Sequence, residues 1–446
     1  MPEYNDQQPG TANAIQVLPL PAEKHGPPFE EKEPLLNRNL VLLTSGQAIS
    51  NIGSYMYSAT LPVWVLTLTS SVAAVSGISV AQYLPAFLIG PLAGIFIDRW
   101  NRRHTMIIAN IAQAFCTLLP VLAVGTLRLP AIYMSIFLVY LFTCFFAPTI
   151  PAVLQVIVNK QRLAQATSIS QAASSLAMIL GSALATPLYF LVGPVPALLV
   201  NAASFLVSAL CLWFIRAPKE VLHPYAFQDT SHVAQSISGK ARSLGEDLVA
   251  GCRYILTDPL LQKLALVPLI TSLGFGMLQA IEVIFLRDRL HASTALAGPL
   301  SASIAGGMLL GTIGTGILAK WIPQKPFLAA SVCLLGISTI IYALQTVFLS
   351  ALIMYSIMGI LLGGVLVTYL SLFMNITPGH FMGRIMSVIQ MGTSAMLIIS
   401  AATAGYLGQY LPVHLIFVAS GLLIVLAGLV IWLSLRNHSK EAIRSV

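Results

Sequence analysis

The chain has 446 residues, of which 57% are hydrophobic and only 9% charged, with a mean hydropathy of +0.84. Soluble globular chains carry roughly 25% charged residues, so this composition excludes one and describes a polytopic membrane protein. The formal charge of +8 therefore says nothing about nucleic acid; in a membrane chain it matters where the cations lie relative to the spans.

Residues 1–38 are rich in Pro, Glu and Gln and lack an apolar core, which predicts a disordered tail and neither a signal peptide nor a span. Glu31 with Leu35 and Leu36 matches an acidic dileucine sorting pattern, a short motif that chance often supplies. Apolar runs follow at 39–67, 72–97, 105–127, 131–157, 166–192 and 195–215, each long enough for a helical span. A polar stretch, 216–259, separates them from six more near 260–286, 296–319, 327–347, 351–374, 385–411 and 414–435, before a tail at 436–446. Within the linker Leu244, Leu248, Cys252 and Ile255 recur at helical spacing, which predicts an amphipathic helix lying on the cytoplasmic surface of the membrane.

Twelve spans put both termini on one side. Twenty of the 23 Lys and Arg fall on that side, leaving Arg128, Arg287 and Arg289 opposite. The positive-inside rule then places both termini in the cytoplasm. The boundary between the fifth and sixth runs, which nearly fuse, is the least sharply marked. The five cysteines stand far apart, with no Cys-x-x-Cys and no neighbouring His, so they read as packing residues and no metal site is expected.

The two halves repeat. A shift of 222 residues lays Gly94 on Gly316, and a shift of 219 lays Ser168 on Ser387, Gln171 on Gln390 and Ser175 on Ser394. A duplicated six-span unit is a recurring way to build an alternating-access transporter.

Between the second and third spans the chain reads Gly94-Ile-Phe-Ile-Asp98-Arg99-Trp-Asn-Arg102-Arg103. Gly94 permits a close helix approach, and Asp98 can meet a guanidinium or the positive N-terminus of a facing helix. Spelled Gly-x-x-x-Asp-Arg-x-x-Arg-Arg, the stretch resembles the loop motif of the major facilitator superfamily, with Asn101 where that motif usually has a second Gly. The opening Leu-Leu-Thr-Ser-Gly-Gln-Ala-Ile-Ser-Asn-Ile-Gly-Ser at 42–54, the Leu-Pro-Val-Trp-Val-Leu-Thr-Leu-Thr at 61–69, the segment Gly251 to Leu261 and the Gly383-Arg384 pair are similar to the branch containing macrolide efflux and enterobactin export proteins. That resemblance covers 39–435. It implies an all-α membrane fold of twelve transmembrane helices in two six-helix bundles around a central cavity. The implied activity is secondary transport, usually outward and often in exchange for protons, with a small organic molecule and the bilayer as partners and a monomer as the working unit.

On this reading Gly94, Asp98, Arg99, Arg102, Arg103 and Arg384 form a cytoplasmic gate, closed when Asp98 meets the start of span 11. The plainer alternative is a charge cluster that only fixes topology. Lys320 and Pro323 stand at the related place in the second half, so such a latch is asymmetric. In span 1, Gln47, Asn51 and Ser54 share a face at i, i+4, i+7 and are candidates to line the cavity, although interhelical hydrogen bonding predicts the same stripe. Gln171 in span 5, Phe145 in span 4 and Gln279 in span 7 are further cavity candidates; for Phe145, and for Phe142, Phe146, Phe275 and Met277, ordinary helix packing is the default. Ser182 follows Gly181 where proton antiporters of the family commonly have Gly-Pro, a departure that weighs against drug/proton antiport.

A proton-driven carrier needs a group that can exchange a proton within the membrane. Glu282 is the only carboxylate in the twelve runs that is not at a cytoplasmic end. It stands within about two turns of Arg287 and Arg289, so the rival reading is a snorkelling residue paired at the outer interface. No phosphate-binding loop is present and the eight His are scattered, so neither an ATPase nor another enzyme is expected, nor a cofactor. The expected role is export of a bulky amphiphilic compound, such as a drug, macrolide or siderophore. Alternatives on the same fold are a lipid or lysophospholipid flippase and a nutrient importer; outside transport, the alternative is a receptor or scaffold.

Overall fold

The computed structural model describes residues 37–97, 101–147, 149–158, 162–215, 249–257, 259–318, 323–377 and 379–444. The expected N-terminal disorder, Asp98, Arg99, Lys320 and the linker positions Leu244 and Leu248 lie outside these residues, as does the side chain of Arg384. All regular structure among them is helical. The helices of the two halves are α1 (Arg38–Thr69), α2 (Val72–Ile97), α3 (Arg102–Thr117), α4 (Leu119–Leu122), α5 (Arg128–Phe146), α6 (Thr149–Ile157), α7 (Leu163–Val192) and α8 (Pro194–Trp213), then α9 (Pro259–Asp288), α10 (Ala297–Leu318), α11 (Gln324–Ala343), α12 (Phe348–Ile376), α13 (Gly379–Leu407) and α14 (Val413–Arg444); residues 249–257 of the linker, with Cys252 and Ile255, are helical too. Among the described residues, eleven segments are long and apolar enough to cross a membrane. The twelfth long helix is α1, whose 32 residues include Gln47, Ser50, Asn51, Ser54, Tyr55 and Tyr57.

Breaks fall where the backbone chemistry requires them. Asn37 caps α1, its side chain accepting from Leu40 N at 2.8 Å, and Ser70 ends it in the left-handed region at φ 51°. The third run is one span in the sequence and two pieces in the structure, because the amide-less Pro120 sits in the first turn of α4 just after the break at Leu118. The fourth run also divides, into α5 ending at Phe146 and α6 starting at Thr149. The fifth and sixth runs part at Gly193, φ 84° and ψ −175°, a conformation open to glycine, and Pro194 starts the next helix at once. At the C-terminus α14 continues to Arg444, beyond the span that composition ends near 435.

The packing pairs of the first half recur in the second. Helices α1·α7, α1·α8, α2·α5, α3·α5 and α3·α8 pack together, and so do α9·α13, α9·α14, α10·α12, α11·α12 and α11·α14. Each pair in one set maps onto a pair in the other when α1, α2, α3, α5, α7 and α8 are matched to α9, α10, α11, α12, α13 and α14. Glycines set two of these contacts. Gly53 on α1 faces Asn201 and Ser204 of α8, while Gly274 on α9 faces Ser420 and Ile424 of α14. A side chain at either glycine would overlap the neighbouring helix, so the matched glycines let matched helices approach closely.

The halves meet chiefly through α2·α13 and α7·α10, which the same matching exchanges. Because the spans alternate in direction, the turns after α1, α4, α7, α9, α11 and α13 share one end of the bundle, where Arg128, Arg287 and Arg289 are the only cations. At this cation-poor end one apolar cluster runs through both halves, from Tyr57, Leu61 and Val75 to Leu286, Leu300 and Phe417. At the cation-rich end the first half has its own cluster around Leu40, Met106, Leu154 and Leu212. The halves are thus fused at one end and separately packed at the other. Outward stripes such as Leu176, Leu180 and Leu184 on α7 are exposed, as a lipid-facing helix requires.

Candidate functional site

The face of α7 that looks toward the second half carries Gln171, Ser182 and Thr186, which fall on one side of a 3.6-residue helix. Ser182 and Thr186 are buried, at 4% and 0% exposure, and Thr186 bonds into the opposite half: its hydroxyl donates to Ala295 O at 2.6 Å and accepts from Gly298 N at 2.8 Å. Gln171, on the same face and about 16 Å from Ser182 toward the cation-rich end, is exposed. On α13 the same pattern holds: Ala401 is buried and Gly405 and Gly408 lie against Ser76 and Val72 of α2, whereas Gln390 on that face is exposed. Surfaces that touch at the cation-poor end are therefore parted three turns further along. The parted faces present Gln171 and Gln390, which the internal repeat superimposes.

Where the halves begin to part, Tyr83 of α2 donates from Oη to Gln279 Oε1 of α9 at 2.5 Å. Tyr83 lies on the α2 face that carries Val72 and Ser76, so Gln279 stands at the inner limit of the closed end.

The polar stripe of α1 is engaged within the first half. Gln47 Oε1 accepts from Ser170 Oγ at 3.0 Å, Asn51 Nδ2 donates to Ser174 Oγ at 3.1 Å, and Ser54 Oγ donates to Ser50 O at 2.9 Å. The first two bonds join α1 to α7, the interhelical role weighed above. Phe145 is half-buried near the end of α5.

Glu282 is buried, at 8% exposure, inside the second half. Oε2 accepts from Tyr355 Oη at 3.0 Å and Oε1 from Ser301 Oγ at 3.4 Å. The Tyr355 ring stacks on Tyr342 with centroids 5.0 Å apart, and Tyr342 packs on Phe285 at 4.9 Å. Neither arginine weighed as a partner pairs with it among the described residues: Arg287 Nε meets Asp288 Oδ1 at 2.5 Å, and Arg289 Nε is buried without a hydrogen-bond partner. Ile281, directly before Glu282, leaves helical geometry at φ −126° and ψ 20°, so the carboxylate sits at a kink in α9. Tyr355, Tyr342, Ser301 and Thr186 were not singled out in the sequence. Their only signal there is a hydroxyl in an otherwise apolar span, which many structural residues share.

In the charged hinge, Gly94 lies in the last turns of α2 and Arg102 opens α3. Asn101 is the N-cap of α3, its side chain accepting from Arg103 N and His104 N, which gives a local use for Asn at this place. Arg103 turns back into its own half: Nε donates to Leu212 O at 3.1 Å, a terminal nitrogen donates to Trp213 O, and the guanidinium lies 6.0 Å from the Trp213 ring centroid. It thereby caps the negative end of α8.

A family model described as Major Facilitator Superfamily matches residues 43–401 and 264–446. Among curated proteins the chain is similar to the uncharacterized MFS-type transporter YfiS of Bacillus subtilis, 25% identical over 88% of this chain and 92% of that one. It is likewise similar to macrolide efflux protein A of Streptococcus pyogenes, 22% identical over 86% and 93%, and to the multidrug efflux pump Tap of Mycolicibacterium fortuitum, 24% identical over 88% and 94%. Among solved structures it resembles the nucleoside transporter NupG, with a TM-score of 0.67 at 11% identity over 89% of this chain and 100% of that one. A bacterial homologue of the iron transporter ferroportin in its inward-facing state gives 0.68 at 15% identity over 90% and 99%.

Proposed function

The chain belongs to the Major Facilitator Superfamily, and from that premise we propose that it is a secondary active exporter of a bulky amphiphilic organic compound, of the drug, macrolide or siderophore kind. The observation that carries this reading is the pair of helix faces on α7 and α13, closed against the other half near Thr186 and Gly405 and open at Gln171 and Gln390. Parted faces that carry amides among apolar side chains suit a large molecule with dispersed hydrogen-bonding groups. The efflux proteins among its relatives support outward movement. We assign 39–215 and 260–435 to the two bundles and 216–259 to a cytoplasmic linker. Both termini are cytoplasmic in a cytoplasmic membrane, and the protein works as a monomer.

Export is driven by proton exchange at Glu282. A carboxylate within a span, held by hydroxyl donors and set at a helix kink, supports this assignment. Asp98 and the start of α13 close the cytoplasmic side in the alternate state. The test is a panel of growth inhibitors applied with and without overexpression, followed by flux of the responding compound in proteoliposomes. Resistance with outward, gradient-dependent flux is expected. Inward flux, or none for any compound including lipid analogues, would overturn the reading.

A further inference from the structure

The two contacts that fuse the halves at the cation-poor end are reciprocal. On the α7·α10 side the hydroxyl belongs to Thr186 and the glycine to Gly298, and a Cβ added at 298 would overlap both Ser182 O and Thr186 Oγ1. On the α2·α13 side the hydroxyl belongs to Ser76 and the glycine to Gly405, and a Cβ added at 405 would overlap Ser76 Oγ. Thr186 and Gly405 are 219 residues apart and Ser76 and Gly298 are 222 apart, the two offsets that relate the halves. Each repeat position thus carries a hydroxyl in one half and a glycine in the other. Had both copies kept the hydroxyl, neither seam would close.

We infer that Ser76, Thr186, Gly298 and Gly405 set the closed state of this end. The glycines fix how near the helices come, and Thr186 fastens one seam by capping the first turn of α10 from the other half. Thr186 and Ser76 are 0% and 3% exposed, so water does not replace the Thr186 bonds while the seam is shut. Opening exposes the Thr186 hydroxyl, Gly298 N and Ala295 O together, and the seam changes as a unit.

The experiment needs no substrate, so its failure leaves the proposed export standing, and failure of export leaves this inference standing. Spin labels are placed at Thr126 and Thr346, exposed positions in the turns that precede α5 and α12, with the five native cysteines replaced. Distances between the labels are measured in nanodiscs by electron paramagnetic resonance. Gly298→Ala and Gly405→Ala are each expected to raise the population at longer distance about tenfold. Gly405→Ser opens the seam in the same way, and adding Ser76→Gly restores the original distribution by exchanging hydroxyl and glycine. Thr186→Val, which keeps the volume and removes both hydrogen bonds, lengthens the distances, whereas Thr186→Ser does not; this pair decides the matter if the glycine variants fail to insert. Unchanged distances in Gly298→Ala and Gly405→Ala, or identical behaviour of Thr186→Val and Thr186→Ser, would overturn the inference.

Discussion

Tyr355 on α12 donates a hydrogen bond to Glu282 on α9 across 3.0 Å, at a place where the first half pairs Ser135 with Tyr57 at 2.6 Å. Ser135 and Tyr355 are 220 residues apart, so one position of the repeat links matched helices in both halves. The chemistry differs: two neutral hydroxyls in one half, a phenol and a carboxylate in the other. Duplication supplied a polar link between spans, and only the second copy carries a group that can change charge.

Glu282→Gln keeps an acceptor for Tyr355 and removes the ionisable group. Substrate binding is expected to persist and substrate-driven proton movement in proteoliposomes to fall to background. Glu282→Ala, by contrast, strands the buried hydroxyl of Tyr355, at a cost of about 1–3 kcal/mol, along with the half-buried one of Ser301, and lowers thermal stability as well. Proton movement at the wild-type rate in Glu282→Gln would assign coupling to another group.

Topology follows from the placement of cations. In cysteine scanning, Arg99, Lys160, Arg242 and Lys325 are expected to be shielded from an impermeant thiol reagent outside intact cells, and Arg128 and Arg287 to be labelled. Labelling of position 242 from outside would reverse the orientation of the whole bundle.

The architecture was largely legible in the sequence, because a bilayer imposes span length and charge bias on every segment. Each of the twelve runs falls on one long helix, the third and fourth with a shorter piece besides, and the offsets 219 and 222 separate Thr186 from Gly405 and Ser76 from Gly298, equivalent places in the two seams. Breaks inside runs were less visible, since Pro120 divides the third run while Pro62 and Pro187 lie within unbroken helices. Which polar residue faces a cavity was hardest to read. Gln47 and Gln171 have the same chemistry and similar depth, yet Gln47 bonds α7 and Gln171 is exposed; only the rotation of each packed helix separates them.

Asp98 and Arg103 share one hinge and are expected to behave differently. Asp98→Asn removes a charge that can meet the start of α13 in only one of two states, so transport falls while abundance and melting temperature stay near wild type. Arg103→Gln weakens the cap on α8, costing about 1 kcal/mol, and lowers the melting temperature with a smaller effect on transport per folded molecule. Transport assays normalised to folded protein, with thermal unfolding in parallel, check both. A stability loss in Asp98→Asn matching that of Arg103→Gln would make the hinge structural throughout.

The pair Gln171 and Gln390 tests the cavity directly. Both amides sit on faces whose neighbours toward the cation-poor end are buried against the opposite half, and both are exposed. A neutral amide hydrogen bond contributes about 0.5–1.5 kcal/mol, so Gln171→Ala and Gln390→Ala should each raise KM for the transported compound about 3- to 10-fold, with kcat and melting temperature little changed. If one molecule spans the two faces, the double variant loses less than the product of the single effects, because the first loss already frees the ligand to move. Gln47→Ala provides the contrast: it removes the acceptor for Ser170 between α1 and α7, so its main effect falls on the melting temperature. Wild-type KM in both Gln171→Ala and Gln390→Ala, for every compound the protein exports, would move the binding site away from these faces and toward Tyr83 and Gln279.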